Sequence, residues 1–243
     1  RIDSDDHAYI AAVSGTGRLH AVADKAAALR RPEIIDIVGD RGYITIAEER
    51  AGEPPYFEVI DTSDPLRPAQ VSKIELPRET YGDWIGQFHV VADYAYLPRS
   101  AIGGHDGGLL VVDLTDEVKP AVAAFVPIPD AGYVDWRGPG LDVVDDRVCM
   151  ASQTGLYVFD VSNPSDPKIV INPNTDPAFR YPAAFLPSKG GWVDVQGDLA
   201  FVTSFFNNTV AEKGGLAVFQ LPDEDGPQSH LAANAAAGDW LIA

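Results

Sequence analysis

A single cysteine and a single methionine occur in 243 residues, basic residues are scarce, and no apolar run approaches the length of a membrane helix. Each absence excludes something. Cys149 alone closes no internal disulfide, so the chain must be held by a packed core rather than by covalent staples. No basic residue adjoins Cys149 to hold a thiolate, and it reads as a small buried hydrophobe. A helical span takes about 20 apolar residues, which excludes membrane insertion by a helix. Neither a signal peptide nor an initiating Met is present, because the chain starts at Arg1 and its Met is Met150. That pattern reads as a processed or trimmed product, with a removed export signal as one explanation.

Eighteen Lys and Arg against thirty-six Asp and Glu give a formal charge of -18, a field that repels phosphate backbones and anionic headgroups. Beyond Arg30-Arg31 no basic cluster opposes that field, so nucleic acid is excluded as a partner, and cations, basic partners or a salty external medium are favoured. Standard catalytic signatures are missing as well: no Gly-x-Ser-x-Gly elbow, no His-Glu-x-x-His, no phosphate loop and no dinucleotide glycine motif. Gly15-Thr16-Gly17 reads as a hairpin turn. With 46% hydrophobic residues and a mean hydropathy close to zero, the chain can bury a sizeable core.

What the chain does have is self-similarity. A unit of apolar-Asp-apolar, Gly/Asp turn, apolar strand, loop, Gly-Leu-x-Val-x-Asp, turn and apolar strand recurs over residues 34–76, 87–128, 140–171 and 191–221, with a worn copy over 1–29. First strands read Ile35-Asp36-Ile37-Val38, Phe88-His89-Val90-Val91, Leu141-Asp142-Val143-Val144 and Val193-Asp194-Val195-Gln196. The turns Gly39-Asp40, Ala92-Asp93, Asp145-Asp146 and Gly197-Asp198 follow, with residue types that supply left-handed or Asx-type backbone. No segment keeps helical periodicity beyond about three turns, and each copy holds three or four short strands bounded by turn residues.

Repeats of about 40 to 50 residues built from short strands predict an all-β propeller, because stacked sheets bury apolar faces that one sheet leaves exposed. The tail Asp239-Trp240-Leu241-Ile242-Ala243, run on into residues 1–10, parallels residues 83–97 without a gap. This predicts five blades with the first closed by the C-terminal strand: residues 1–32 plus 233–243, 33–78, 79–129, 130–175 and 176–232. The alternative is a piece of a longer propeller that starts and stops at one point of the repeat.

The third strands Gly108-Leu109-Leu110-Val111-Val112-Asp113 and Gly155-Leu156-Tyr157-Val158-Phe159-Asp160, the latter running into Val161-Ser162-Asn163-Pro164, resemble the LVIVD repeat of bacterial and archaeal surface propellers. The resemblance covers about four-fifths of the chain. It departs at the first copy, and again at Gln220, where the strand-ending Asp is absent. It implies export, with a secreted, periplasmic or cell-surface location, and binding of a ligand; it names no activity.

Two constellations are candidates for a site. Asp36, His89, Asp142 and Asp194 follow one another at intervals of 53, 53 and 52 residues and predict a ring at one height of the channel. Such a ring would bind a ligand or a divalent cation, Ca²⁺ or Mg²⁺ through the carboxylates and Zn²⁺ through the imidazole. Asp at this position equally serves as a repeated clip onto the backbone of the adjoining blade. His89 breaks the symmetry. The second constellation is aromatic: Tyr81-Gly82-Asp83-Trp84 and Tyr133-Val134-Asp135-Trp136, with Trp192 and Trp240, gather the tryptophans at one mouth, a surface for a sugar ring or an organic cation. The loop carrying His105 and Asp106 belongs to the same end and would approach His89.

Two functions follow. One is a binding or scaffold propeller, extracellular or at the cell surface, presenting the Trp-rich mouth to a protein, glycan or small molecule. The other is a hydrolase, lyase or isomerase in which His89 shuttles a proton and Asp142 and Asp194 orient it or hold a metal.

Overall fold

The computed structural model describes residues 11–13, 19–21, 32–46, 54–64, 67–77, 87–99, 107–128, 140–152, 154–181, 191–203, 216–222 and 231–235. Strands β1 (Ala11–Val13) and β2 (Leu19–Ala21) pair antiparallel, as expected of a hairpin in the worn first copy. The other described strands form four antiparallel sheets of four strands, each a simple meander in chain order. Sheet A contains β3 (Pro32–Val38), β4 (Arg41–Ile46), β5 (Tyr56–Asp61) and β6 (Ala69–Glu75). Sheet B contains β7 (His89–Val91), β8 (Tyr94–Arg99), β9 (Gly107–Asp113) and β10 (Ala121–Ile128). Sheet C contains β11 (Leu141–Val144), β12 (Arg147–Ala151), β13 (Leu156–Asp160) and β14 (Lys168–Ile171). Sheet D contains β15 (Val193–Gln196), β16 (Leu199–Thr203), β17 (Leu216–Gln220) and β18 (Leu231–Ala235). The first strands of successive sheets adjoin: β3 meets β7, β7 meets β11, and β11 meets β15. This all-β arrangement is consistent with a β-propeller. Among the described residues no helix is long and apolar enough to cross a membrane.

The repeat's consensus residues have distinct physical duties. Each two-residue hairpin between first and second strands places its first residue at positive φ: Gly39 at 59°, Ala92 at 51°, Asp145 at 49° and Gly197 at 63°. A right-twisted strand pair needs this reversal, and glycine takes it without a Cβ penalty. The Asp that ends each third strand caps the following turn. Asp61, Asp113 and Asp160 accept from the backbone N–H of Ser63, Thr115 and Ser162 at 2.9, 2.8 and 2.9 Å. Hydrogen bonds from the Ser63 and Ser162 side chains first, and then these backbone bonds, hold the Asp61 and Asp160 carboxyls below their usual range. Gln220 departs from the pattern, and its side-chain amide donates to Asp198 instead.

The third strands of sheets B and C are apolar on both faces because a sheet packs on each side of them. On β9, Leu110 and Val112 join Phe57, Val59 and Phe88 in the core between sheets A and B. Leu109 and Val111 face the other way, into the core with Leu141, Val148 and Met150 of sheet C. Between C and D the core contains Cys149, Leu156, Val158, Val202 and Phe219. Each buried Leu, Val or Phe side chain contributes about 1.5–3 kcal/mol relative to exposure, which is why the apolar positions of the repeat tolerate no gap. After β14 the chain makes one 3-10 turn, Pro177–Phe179, capped by the Asp176 carboxylate accepting from the Ala178 N–H. That turn inserts Phe179 against Phe219 of sheet D, ring centroids 5.8 Å apart.

Candidate functional site

The four ring positions divide into two kinds. Asp36 accepts from the next N–H of its own strand, Ile37, at 2.9 Å, and its other oxygen accepts from the Val90 N–H of sheet B at 2.8 Å. Asp142 repeats this geometry, accepting from Val143 at 2.8 Å and from Val195 of sheet D at 2.7 Å. Each carboxylate therefore ties its first strand to that of the next sheet, and both oxygens are committed to backbone amides. This is the clip expected as one of the two readings of the repeated Asp. His89 sits at the same repeat position, and its imidazole lies 3.3 Å from the Gln87 side-chain amide. Between sheets B and C the Val143 N–H is satisfied by Asp142 of its own strand. Asp194 is exposed and accepts from the Gln196 side chain at 3.3 Å.

Among the described residues, which include Asp36, His89, Asp142 and Asp194, no three of His, Cys, Asp and Glu are grouped so as to hold a metal. Cys149 stands opposite Asp142 in the β11/β12 register and is fully buried; burial, helped by the Asp142 charge, pushes its thiol up to about 12. It packs in the core between sheets C and D.

Two residues before His89, Asp142 and Asp194 lies a second level, which sequence reasoning missed apart from Trp192. It consists of Gln87, Gly140 and Trp192. Gly140 donates its N–H to the Gly191 carbonyl of the next sheet at 2.9 Å, and a Cβ there would stand 2.4 Å from that oxygen. Backbone contact at Gly140 thereby holds the backbone at Trp192, a residue that is 46% exposed. A further residue without a sequence signal is Arg99, at the end of β8. It is buried, with its guanidinium 5.0 Å from the centre of the Phe125 ring. Its repeat equivalents are Ile46 and Ser152, so the charge is particular to sheet B. Tyr81, Trp84, His105, Asp106, Tyr133 and Trp136 lie outside the described residues.

At the opposite end of the strands, a cleft of about 830 Å³ opens between sheets C and D. Val158, Ile171 and Leu221 line it together with Asp146, Asp160 and Asp198, and Arg147 beside them donates to the Pro222 carbonyl at 2.8 Å. This cleft was not anticipated, because it depends on which side chains two separate repeats bring to one gap.

Solved structures share this architecture at low identity. A protein from Lactobacillus plantarum matches with a TM-score of 0.61 at 14% identity, over 96% of this chain and 79% of its own. A functionally unknown protein from Desulfotomaculum acetoxidans DSM 771 matches with a TM-score of 0.56 at 12% identity, over 83% of this chain. The chain spans 55% of that protein's length. The computationally designed Ika4 protein matches with a TM-score of 0.50 at 7% identity, over 84% of this chain and 99% of its own. At these identities the likeness is one of fold. None of the curated proteins matches the chain. One repeat is recognisable by sequence as well as by shape: residues 140–175, spanning β11 to β14, are an LVIVD repeat.

Proposed function

We propose that the chain is a ligand-binding β-propeller module, five-bladed with its two ends sharing a blade, that acts outside the cell or at its surface. Its site is the end of the channel where the first strands begin, and the residues assigned to it are His89, Gln87, Asp194 and Trp192. One observation carries the reading: of four equivalent positions, Asp36 and Asp142 have both oxygens bound to backbone amides, whereas among the described residues His89 and Asp194 make side-chain contacts alone, each at 3.3 Å. An exposed indole two residues from an exposed carboxylate, with an imidazole–amide pair that the proposed ring of blades brings to the same end, suits a glycan or a small organic cation, stacked on Trp192 and hydrogen-bonded below it. The acidic surface and the LVIVD repeat support the extracellular setting.

The test is calorimetric titration with neutral oligosaccharides and with quaternary ammonium ions. His89→Asp is the informative variant, since it writes the repeat's own residue into the position and spares the fold. One ligand class is expected to bind, and His89→Asp and Trp192→Ala should each weaken it about tenfold, equivalent to about 1.4 kcal/mol. Binding that both variants leave untouched would refute this site.

A further inference from the structure

The end of the sheets opposite Trp192 carries an unusual combination of exposed apolar and acidic side chains. Ile37 is 53% exposed, Val38 46% and Val91 41%, all on first strands just before their hairpin turns. Val118, in the β9–β10 loop at the same end, is 66% exposed, and Val170, which lines the cleft between sheets C and D, is 54% exposed. The hairpin tips that surround these residues carry Asp40, Asp93, Asp145, Asp146 and Asp198, every one of them exposed. Isolated apolar residues on a surface need no explanation, but a group gathered toward one end and fringed by the tip aspartates, with Arg41, Lys119, Arg147 and Lys168 the basic groups among them, marks an interaction surface.

From this we infer that the hairpin-turn face is a docking surface for a segment of a partner protein in which apolar side chains alternate with Lys or Arg. The apolar residues belong to sheets A, B and C, a spread wider than a small ligand covers. The partner's apolar side chains seat between the first-strand valines and in the cleft lined by Val158, Ile171 and Leu221. Its basic groups meet the aspartates of the tips. That arrangement gives both steering and register: the acidic fringe speeds encounter, and the apolar contacts slow release. The same aspartates repel anionic headgroups and phosphate backbones, which selects a basic protein segment over a lipid surface or a nucleic acid. This surface is separate from the site proposed at the Trp192 end, and either can fail without the other.

The experiment uses a fluorescein-labelled Lys-Leu-Lys-Leu-Lys peptide and fluorescence anisotropy with the whole chain. Its companions are Lys-Ser-Lys-Ser-Lys, which keeps the charge, and Glu-Leu-Glu-Leu-Glu, which keeps the apolar groups. The Lys-Leu peptide is expected to bind about tenfold more tightly than either companion, and to weaken as salt is raised. The double variant Asp93→Asn with Asp146→Asn, and separately Val91→Ser, should each weaken it about fivefold or more, while Glu75→Gln at the far end of sheet A leaves it unchanged. All four positions are exposed, so the melting temperature should stay near that of the parent and serve as the control for folding. No binding of the Lys-Leu peptide, equal binding of the Lys-Ser peptide, or an equal loss on Glu75→Gln would each overturn the proposal.

Discussion

The junction between sheets A and B and the junction between C and D begin from the same parts and end differently. Both have an aspartate clip, Asp36 to Val90 at 2.8 Å and Asp142 to Val195 at 2.7 Å. Both start the second strand with arginine, Arg41 and Arg147. Between A and B that arginine meets Glu117 at 2.7 Å, the Tyr43 hydroxyl donates to the same carboxylate at 2.8 Å, and Ser72 donates to the Glu117 carbonyl at 2.6 Å. Between C and D the Tyr43 position is Cys149, the Ser72 position is Ile171, and the arginine turns to a carbonyl beside an open cleft. The backbone clip is copied because any two adjoining first strands present the same amides. The side-chain plug varies because water can solvate an arginine as well as a carboxylate can.

Removing the clip should give the largest effect, and the same one at both junctions. Asp36→Ala and Asp142→Ala each leave two backbone N–H groups without their charged acceptor and should cost about 2–3 kcal/mol. Asp194→Ala, at an exposed position bound among the described residues to the Gln196 side chain alone, should cost less than about 0.5 kcal/mol. Urea unfolding monitored by tryptophan fluorescence measures all three. Equal losses at the three positions would mean that the repeat position matters and the clip does not.

High pH should separate the junctions next. Burial raises both the Cys149 thiol and the Tyr43 phenol above their ordinary values. In each case the unfolded chain releases the proton first, so stability is complete below the ordinary value and falls as pH rises above it. For a thiol that fall starts near about pH 8.5, and for a phenol near about pH 10. The C–D junction therefore weakens first. In a series of unfolding free energies against pH, Cys149→Ala should flatten the curve between about 8.5 and 10, and Tyr43→Phe only above about 10. A curve unchanged by Cys149→Ala would show that its thiol reaches water in the native state.

The meanders, their turns and the clip were legible in the sequence because each depends on residues within one repeat. Gly39 and Gly197 announce a positive-φ turn, and the Asp of Ile35-Asp36-Ile37 recurs on schedule. What was not legible depends on two repeats at once. Nothing in one copy says that Asp36 and Asp142 reach the next strand while Asp194 stays exposed, or that His89 pairs with Gln87. Gly140 gave no sign either, since its lack of a side chain matters only against the Gly191 carbonyl of the following sheet.

The ion pair that fills the A–B gap gives a smaller effect. Arg41 and Glu117 side chains are 32% and 31% exposed, so Glu117→Gln should cost about 0.5–1 kcal/mol, most of it lost in 1 M salt.

The smallest effect bears on why the other gap is open. Glu224 follows Leu221 in the sequence as Glu117 follows Leu114, but it lies outside the described residues. Arg147 already donates to the Pro222 carbonyl at 2.8 Å, and Cys149 offers no hydroxyl where Tyr43 does. A carboxylate entering this gap would have one donor to gain where Glu117 has two. Glu224→Gln is therefore expected to change the unfolding free energy by less than about 0.5 kcal/mol. A double-mutant cycle with Arg147→Gln measures the coupling directly. Coupling as strong as that between Arg41 and Glu117 would mean that the two junctions are built alike after all, with the cleft filled by the chain's own carboxylate.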